Sequence, residues 1–209
     1  VVRGIIGRSW GQGAQHSQAI HSYFMHVPGI KVVAPTTPHD AKGCMITAIR
    51  DDNPVIFEEH KGLYRAPALR EVLPDEDYVV PLGKARTVRE GTDLTIVTYG
   101  AMVHKSVEAA ETLETDDGVS VEIVDLRTLL PLDENAIVES VKKTNKLLVV
   151  HEDTRTGGIA GEIAIRVSEK AFEWLDGPIL RVTAIDAPVP YSGSLEDYFL
   201  PQTDDVIKA

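Results

Sequence analysis

The densest concentration of chemistry-bearing residues is the run Gly7-Arg8-Ser9-Trp10-Gly11-Gln12-Gly13-Ala14-Gln15-His16-Ser17-Gln18. Glycines at positions 7, 11 and 13 let the backbone approach a ligand closely. His16 stands where this loop meets a predicted helix, a placement suited to proton transfer near neutral pH. A histidine that only caps the helix or hydrogen-bonds the loop has the same signature, so the residue types leave both roles open. Gly11-Gln12-Gly13 could begin a dinucleotide-binding fingerprint, but no third glycine follows at the required spacing.

Three further stretches collect polar groups. Ala48-Ile49-Arg50-Asp51-Asp52-Asn53-Pro54 closes a predicted helix, whose last carbonyls lack intrahelical partners and whose dipole end is negative. Carbonyl oxygens, two carboxylates and an amide gather there, a set suited to a hard monovalent cation. A solvated helix end stopped by Asn-Pro is the alternative. The run Asp125 to Asp133 passes from a strand end to a helix cap, with Asp133 placed to accept backbone N–H bonds and Arg127 read as half of a buried ion pair. Thr156-Gly157-Gly158-Ile159-Ala160-Gly161-Glu162 opens another helix, where the glycines serve either an anion or close packing.

The elements that must position these residues alternate. Gly4–Ile6 reads as a strand end, His16–His26 as a helix with Ile20, Tyr23 and Phe24 on one face, and Ile30–Val33 as a strand. Thr37-Pro38-His39-Asp40 is a helix start, with Thr at the cap and Pro at the first position. Ala41, Cys44, Met45, Ala48 and Ile49 follow at helical spacing, and Val55–Glu58 is a strand. Residues 60–92, with Pro67, Pro74 and Pro81 and no sustained periodicity, read as a linker. Strands are then predicted near Leu94–Tyr99, Val119–Asp125, Leu147–Glu152 and Leu180–Ile185, with helices near Met102–Leu113, Glu134–Thr144 and Gly158–Leu175. Strand–helix alternation implies parallel sheets with right-handed crossovers. The expected organisation is an incomplete parallel-sheet domain over 1–72, a linker and the start of a second domain over 73–92, and a complete α/β domain over 93–209.

Totals narrow the functional classes. The chain has 209 residues, 43% hydrophobic and 25% charged, an ordinary globular balance. No apolar run approaches the ~20 residues a membrane helix needs. The net charge of −11 opposes nucleic-acid binding, which demands a basic face. Residues 1–71 carry 8 Lys+Arg against 6 Asp+Glu and residues 72–209 carry 13 against 26, so the parts stand at +2 and −13. A large partner of the second part should therefore be basic. Cys44, the one cysteine, rules out an internal disulfide framework, fits a reducing compartment, and reads as a buried apolar residue.

Gln15-His16-Ser17-Gln18, Pro28 to Pro35, Asp40-Ala41-Lys42-Gly43, Ala48 to Pro54, Leu63-Tyr64-Arg65, Asp125 to Asp133, Thr156-Gly157-Gly158 and Pro188 to Tyr191, in that order and spacing, resemble the β subunit of the 2-oxo acid dehydrogenases of the transketolase superfamily. The resemblance covers nearly the whole chain. It implies the later part of a pyrimidine-binding domain followed by a transketolase C-terminal domain. It further implies thiamine diphosphate with magnesium shared with an α subunit, oxidative decarboxylation of pyruvate or a branched-chain 2-oxo acid, and acyl transfer to lipoyl groups. By the same resemblance His16 matches the active-site histidine. Ala48, Ile49 and Asp51 by their backbone oxygens, with Asn53, match a structural potassium site. Asp176 lies where the C-terminal domain meets the basic subunit-binding domain of the lipoyl acyltransferase, and a second β subunit completes the assembly. The location implied is the cytoplasm or the mitochondrial matrix. The family's aminopyrimidine-activating glutamate lies upstream of Val1, so this polypeptide alone is expected to be inactive. A non-catalytic docking domain, or a transketolase or deoxyxylulose phosphate synthase relative, are the competing readings.

Overall fold

The computed structural model describes residues 1–8 and 11–209. Ser9 and Trp10, in the predicted glycine-rich loop, lie outside the described residues. The first domain comprises β1 (Val2–Ile6), two short helices α1 (Gly13–Ser17) and α2 (His21–Met25), β2 (Lys31–Val33), α3 (Pro38–Ile49), β3 (Val55–His60) and α4 (Lys61–Tyr64). The second comprises β4 (Arg86–Arg89), β5 (Leu94–Thr98), α5 (Ala101–Asp117), β6 (Val121–Asp125), β7 (Thr128–Leu130), α6 (Glu134–Thr144), β8 (Leu147–Thr154), α7 (Ile159–Ala171), β9 (Leu180–Ala184), α8 (Gly193–Phe199) and α9 (Thr203–Lys208).

Both sheets are predominantly parallel. The first runs in the order β1, β3, β2, β7 and the second in the order β4, β6, β5, β8, β9. In the second sheet, seven of the eight residues of β8 are buried, the pattern of a strand covered on both faces. The predicted cap of α3 forms as expected, with Thr37 Oγ1 accepting from Asp40 N at 3.1 Å. Cys44, on the buried face of that helix, is fully buried, and burial pushes its thiol up to about 12.

Three features differ from the sequence expectation. The predicted helix from His16 to His26 is two helices, because Gln18 takes an extended conformation (φ −62°, ψ 133°) and its side chain accepts from Val189 N of the second domain at 3.2 Å. A tertiary contact at this residue overrides local helix preference. Residues 60–92 are not a bare linker. They carry α4, a 3-10 turn at Pro67–Leu69, and β4, which pairs antiparallel with β6. The helix predicted over 158–175 ends at Ala171 and continues as a 3-10 turn, Phe172–Trp174.

β7 was not foreseen, and it ties the two domains together. This three-residue strand leaves the second sheet after β6 and joins the first, antiparallel to β2, with Val32 opposite Leu130 and Val33 opposite Thr128. As a result the largest apolar cluster is shared, with Val32, Ala34 and Ile56 of the first domain packed among Val97, Leu126, Leu129, Ile137 and Ile163 of the second.

Arg127 sits at the entrance to β7 with φ 53°, a region that ordinarily costs a non-glycine residue about 1 kcal/mol or more. Its guanidinium accounts for that conformation. Nη1 donates to Asp40 Oδ1 at 3.0 Å, and Nη2 donates to the carbonyls of Lys84 and Ala85 at 2.8 and 3.2 Å. Asp40 is 1% exposed, so its charge depends on this partner and on Arg86, 3.5 Å away. Arg127→Met strands much of that buried charge and should lower unfolding stability by about 3 kcal/mol, read from urea denaturation; a change within experimental error would show that the pair does not hold the domains.

Candidate active site

The segment bearing His16 is shaped by contacts from both domains. Gly7 has φ 87°, and a Cβ there would run into the His60 ring, so only glycine lets the end of β1 pass that side chain. Gly7 N donates to Ser17 O at 3.0 Å, closing the loop back onto α1. Gly13, also at positive φ, opens α1 directly against the ring of Tyr191. The Tyr191 hydroxyl donates to Gln15 Oε1, and Lys61 Nζ donates to Gln12 Oε1 at 2.7 Å and Ser17 Oγ at 3.2 Å. Each residue flanking His16 is thus held, while His16 itself is exposed. It lies in the last turn of α1 and not at a helix N-terminus, which corrects the predicted placement. An imidazole presented on a pinned backbone can exchange a proton with a molecule bound outside this chain.

Beneath this surface lies a polar cluster that no local motif announces. His21 is fully buried at the seam between the sheets, with Nδ1 3.1 Å from Glu58 Oε2, and Nε2 3.2 Å from Asp153 Oδ2 and 2.8 Å from the Tyr99 hydroxyl. Ser22 Oγ donates to the same Asp153 oxygen at 2.8 Å. Burial opposes charge on His21, yet hydrogen bonds to Asp153 and Glu58 outweigh it and raise its pKa to about 9. His151, also fully buried, goes the other way, to about 4, through desolvation and the neighbouring charge of His21. A second pair, His60 Nε2 to Glu152 Oε2 at 2.8 Å, crosses the same seam. Helical spacing gave His21 no distinction, because its partners lie 37 and 132 residues away. The one available signal was the unusual histidine density, with His16, His21 and His26 in a single stretch.

At the end of α3, Asp51 accepts from Lys31 Nζ, from Asn53 N at 2.9 Å and from Asn53 Nδ2 at 3.0 Å. The Lys31 contact leads in holding the Asp51 carboxyl down at about 2. The carbonyl of Ala48 accepts from the N–H groups of Arg50 and Asp51, and the Ile49 side chain is exposed. Asp176 is exposed in a loop whose N–H donates to Asn145 O at 2.9 Å, beside the exposed aromatic rings of Phe172 and Trp174. Asp133 caps α6 as predicted, at 3.4 Å from Ala136 N. At the glycine-rich start of α7, Asp186 accepts from Thr156 N and Oγ1 at 2.8 and 2.7 Å. Among the described residues, no group of three or more His, Cys, Asp or Glu is placed to hold a metal ion, and no helix is long and apolar enough to cross a membrane.

The seam has a defined pH signature. The pKa of His21 is raised above its ordinary 6.5 to about 9, so its stabilising contribution is complete below the lower value and is lost as pH rises through the upper one. Between them the native chain should lose on the order of 3 kcal/mol. His21→Gln should flatten that part of the stability-against-pH curve measured by urea denaturation, and a variant with the same slope would place the titration elsewhere.

The family model described as "Transketolase, C-terminal domain" matches residues 83–206, and "Transketolase, pyrimidine binding domain" matches residues 3–67. The 2-oxoisovalerate dehydrogenase subunit beta of Bacillus subtilis is 46% identical over 207 residues, covering 99% of this chain and 62% of that protein. The acetoin:2,6-dichlorophenolindophenol oxidoreductase subunit beta of Cupriavidus necator is also 46% identical, over 100% of this chain and 61% of its own length. The pyruvate dehydrogenase E1 component subunit beta of Bacillus subtilis is 48% identical over 92% of this chain and 58% of that protein. The chain therefore spans about 60% of the length of these relatives. In fold it is similar to a solved split gene transketolase, an inactive β4 tetramer, with a TM-score of 0.77 and 24% identity over 99% of this chain and 62% of that one. Two α/β units with mainly parallel sheets, locked by β7 and matching both domain models in order, place this chain in the transketolase family.

Proposed function

We propose that this chain serves in the β subunit of the decarboxylating component of a 2-oxo acid dehydrogenase complex, acting with an α subunit on pyruvate or a branched-chain 2-oxo acid. The carrying observation is His16, solvent-facing on a helix whose neighbouring residues are fixed by Tyr191 and Lys61. Relatives named for 2-oxoisovalerate, acetoin and pyruvate match at 46, 46 and 48% identity, so the reading rests on the step these proteins share more than on one substrate side chain. The weaker 24% likeness to a transketolase favours this reading over a transketolase activity. A purely non-catalytic assembly domain gives no reason for a pinned, exposed imidazole.

Thiamine diphosphate, bound with magnesium chiefly by the α subunit, supplies a nucleophilic carbon and an electron sink. In this reading His16 holds or delivers a proton at the oxo acid or the lipoyl group. The glycine turn and Tyr191 keep the imidazole in register, and the buried His21 cluster keeps the two domains from sliding under it. A structural potassium ion belongs to the same reading, held by backbone oxygens of Ala48, Ile49 and Asp51 with Asn53. Lys31 neutralises the Asp51 carboxylate, leaving mainly carbonyl-type oxygens, which suit a monovalent ion. Asp176, with Phe172 and Trp174 beside it, would meet the basic subunit-binding domain of the lipoyl acyltransferase. The −13 balance of residues 72–209 supports a basic partner. A second β subunit completes a heterotetramer. The lone buried thiol, together with bacterial and mitochondrial relatives, supports the bacterial cytoplasm or the mitochondrial matrix.

In a full-length β subunit carrying this sequence and assembled with its α subunit, His16→Ala should reduce oxo acid-dependent reduction of an artificial electron acceptor by roughly 10²-fold or more, with circular dichroism unchanged; an undiminished rate would remove His16 from the chemistry. Exchanging potassium for sodium should lower the melting temperature, and Asn53→Ala should abolish the difference. Equal melting in both salts would disprove the cation site.

A further inference from the structure

A cavity of about 430 Å³ opens between the domains, apart from His16, where Arg8, Lys61 and Arg65 of the first domain face Met102, Lys105 and Glu152 of the second. Its position follows from the topology of the second sheet. β5 runs through α5 to β6 on one side, and β8 runs through α7 to β9 on the other, so β5 and β8 are neighbours whose connections leave in opposite directions. The crevice beyond their carboxyl ends is the topological switch point, the place where open parallel sheets receive ligands. Met102 in the first turn of α5, just after β5, and Glu152 near the end of β8 border that crevice.

The charges lining it are not balanced. The acids nearby are already matched: Glu152 to His60, and Glu196 and Asp197 to Arg8. Lys61 is 8% exposed, yet its ammonium donates only to the neutral Gln12 amide and Ser17 hydroxyl, at 2.7 and 3.2 Å. Lys105 donates to the neutral Gln202 amide at 2.7 Å. Among the described residues neither ammonium has a carboxylate within ion-pair distance. An ammonium taken out of water without an anion is costly, and desolvation leads in lowering the Lys61 pKa, against the pull of Glu196. The seventeen-residue α5 adds its own positive end, with no side-chain cap and no acid in its first turn. This concentration of positive charge stands in a chain of net charge −11.

We propose that this cavity binds the phosphoryl or diphosphoryl group of a small phosphorylated metabolite, at a site distinct from that of His16. Lys61 and Lys105 supply charge-assisted hydrogen bonds, and the first N–H groups of α5 complete the cradle. Since Lys61 also holds Gln12 and Ser17, an arriving anion competes for the ammonium that steadies the His16 helix. Occupancy of the cavity is thereby linked to the order of that loop.

Calorimetric titration of the chain with inorganic pyrophosphate at low salt tests this without any turnover, so its outcome is separate from that of the oxo acid reading. One saturable site is expected, weakened about tenfold or more by Lys61→Met and by Lys105→Gln. Lys105 is only half-buried, so its variant keeps the test usable if Lys61→Met fails to fold. Absence of saturable binding, unchanged affinity in folded Lys105→Gln, or equally tight binding of pyruvate would each overturn the proposal.

Discussion

The two sheets of this protein are joined through charge buried at their seam, and the rest of the molecule depends on that arrangement. His21 lies between Glu58 of one domain and Asp153 of the other with no exposure to water. Burial opposes charge on a histidine in such a place, and its hydrogen bonds to the two carboxylates outweigh that opposition, while the Tyr99 hydroxyl lies 2.8 Å from Nε2. None of these groups is stable alone in the interior. The charges of the seam therefore depend on one another, and removing one leaves its partners buried without compensation.

Around that unit, three other devices restrict how the domains can move. β7 lends a strand of one domain to the sheet of the other, Arg127 bridges Asp40 to the Lys84 and Ala85 carbonyls, and the segment ending at Tyr191 lies against Gly11 and Gly13. Apolar burial alone fixes no angle, since the hydrophobic effect is non-directional. Hydrogen-bonded charge is directional, and it sets the angle at which the first domain presents α1. An exposed functional histidine needs this kind of support, because the residue that meets a partner cannot itself be packed.

At the His21 seam every charge has an opposite charge within reach. At the Lys61 cavity the ammonium groups have, among the described residues, neutral hydrogen-bond partners. The first arrangement is what a structural joint requires, and the second is what an anion-binding crevice requires.

The sequence alone determined the alternation of strands and helices, the caps of α3 and α6, the buried character of Cys44 and the ordered motifs that resemble one family. Each of these depends on neighbours a few residues apart, where periodicity and capping chemistry are legible. The break of the predicted His16–His26 helix at Gln18, the strand β4 inside the proline-bearing stretch, and the transfer of β7 to the other sheet were decided only in three dimensions, because each is imposed by a partner far away in the chain. The same holds within the site. His16 could be singled out by its glycine-rich surroundings, whereas His21, Glu58, Asp153 and Lys61 gain their meaning from burial and from partners that only folding brings within hydrogen-bond distance.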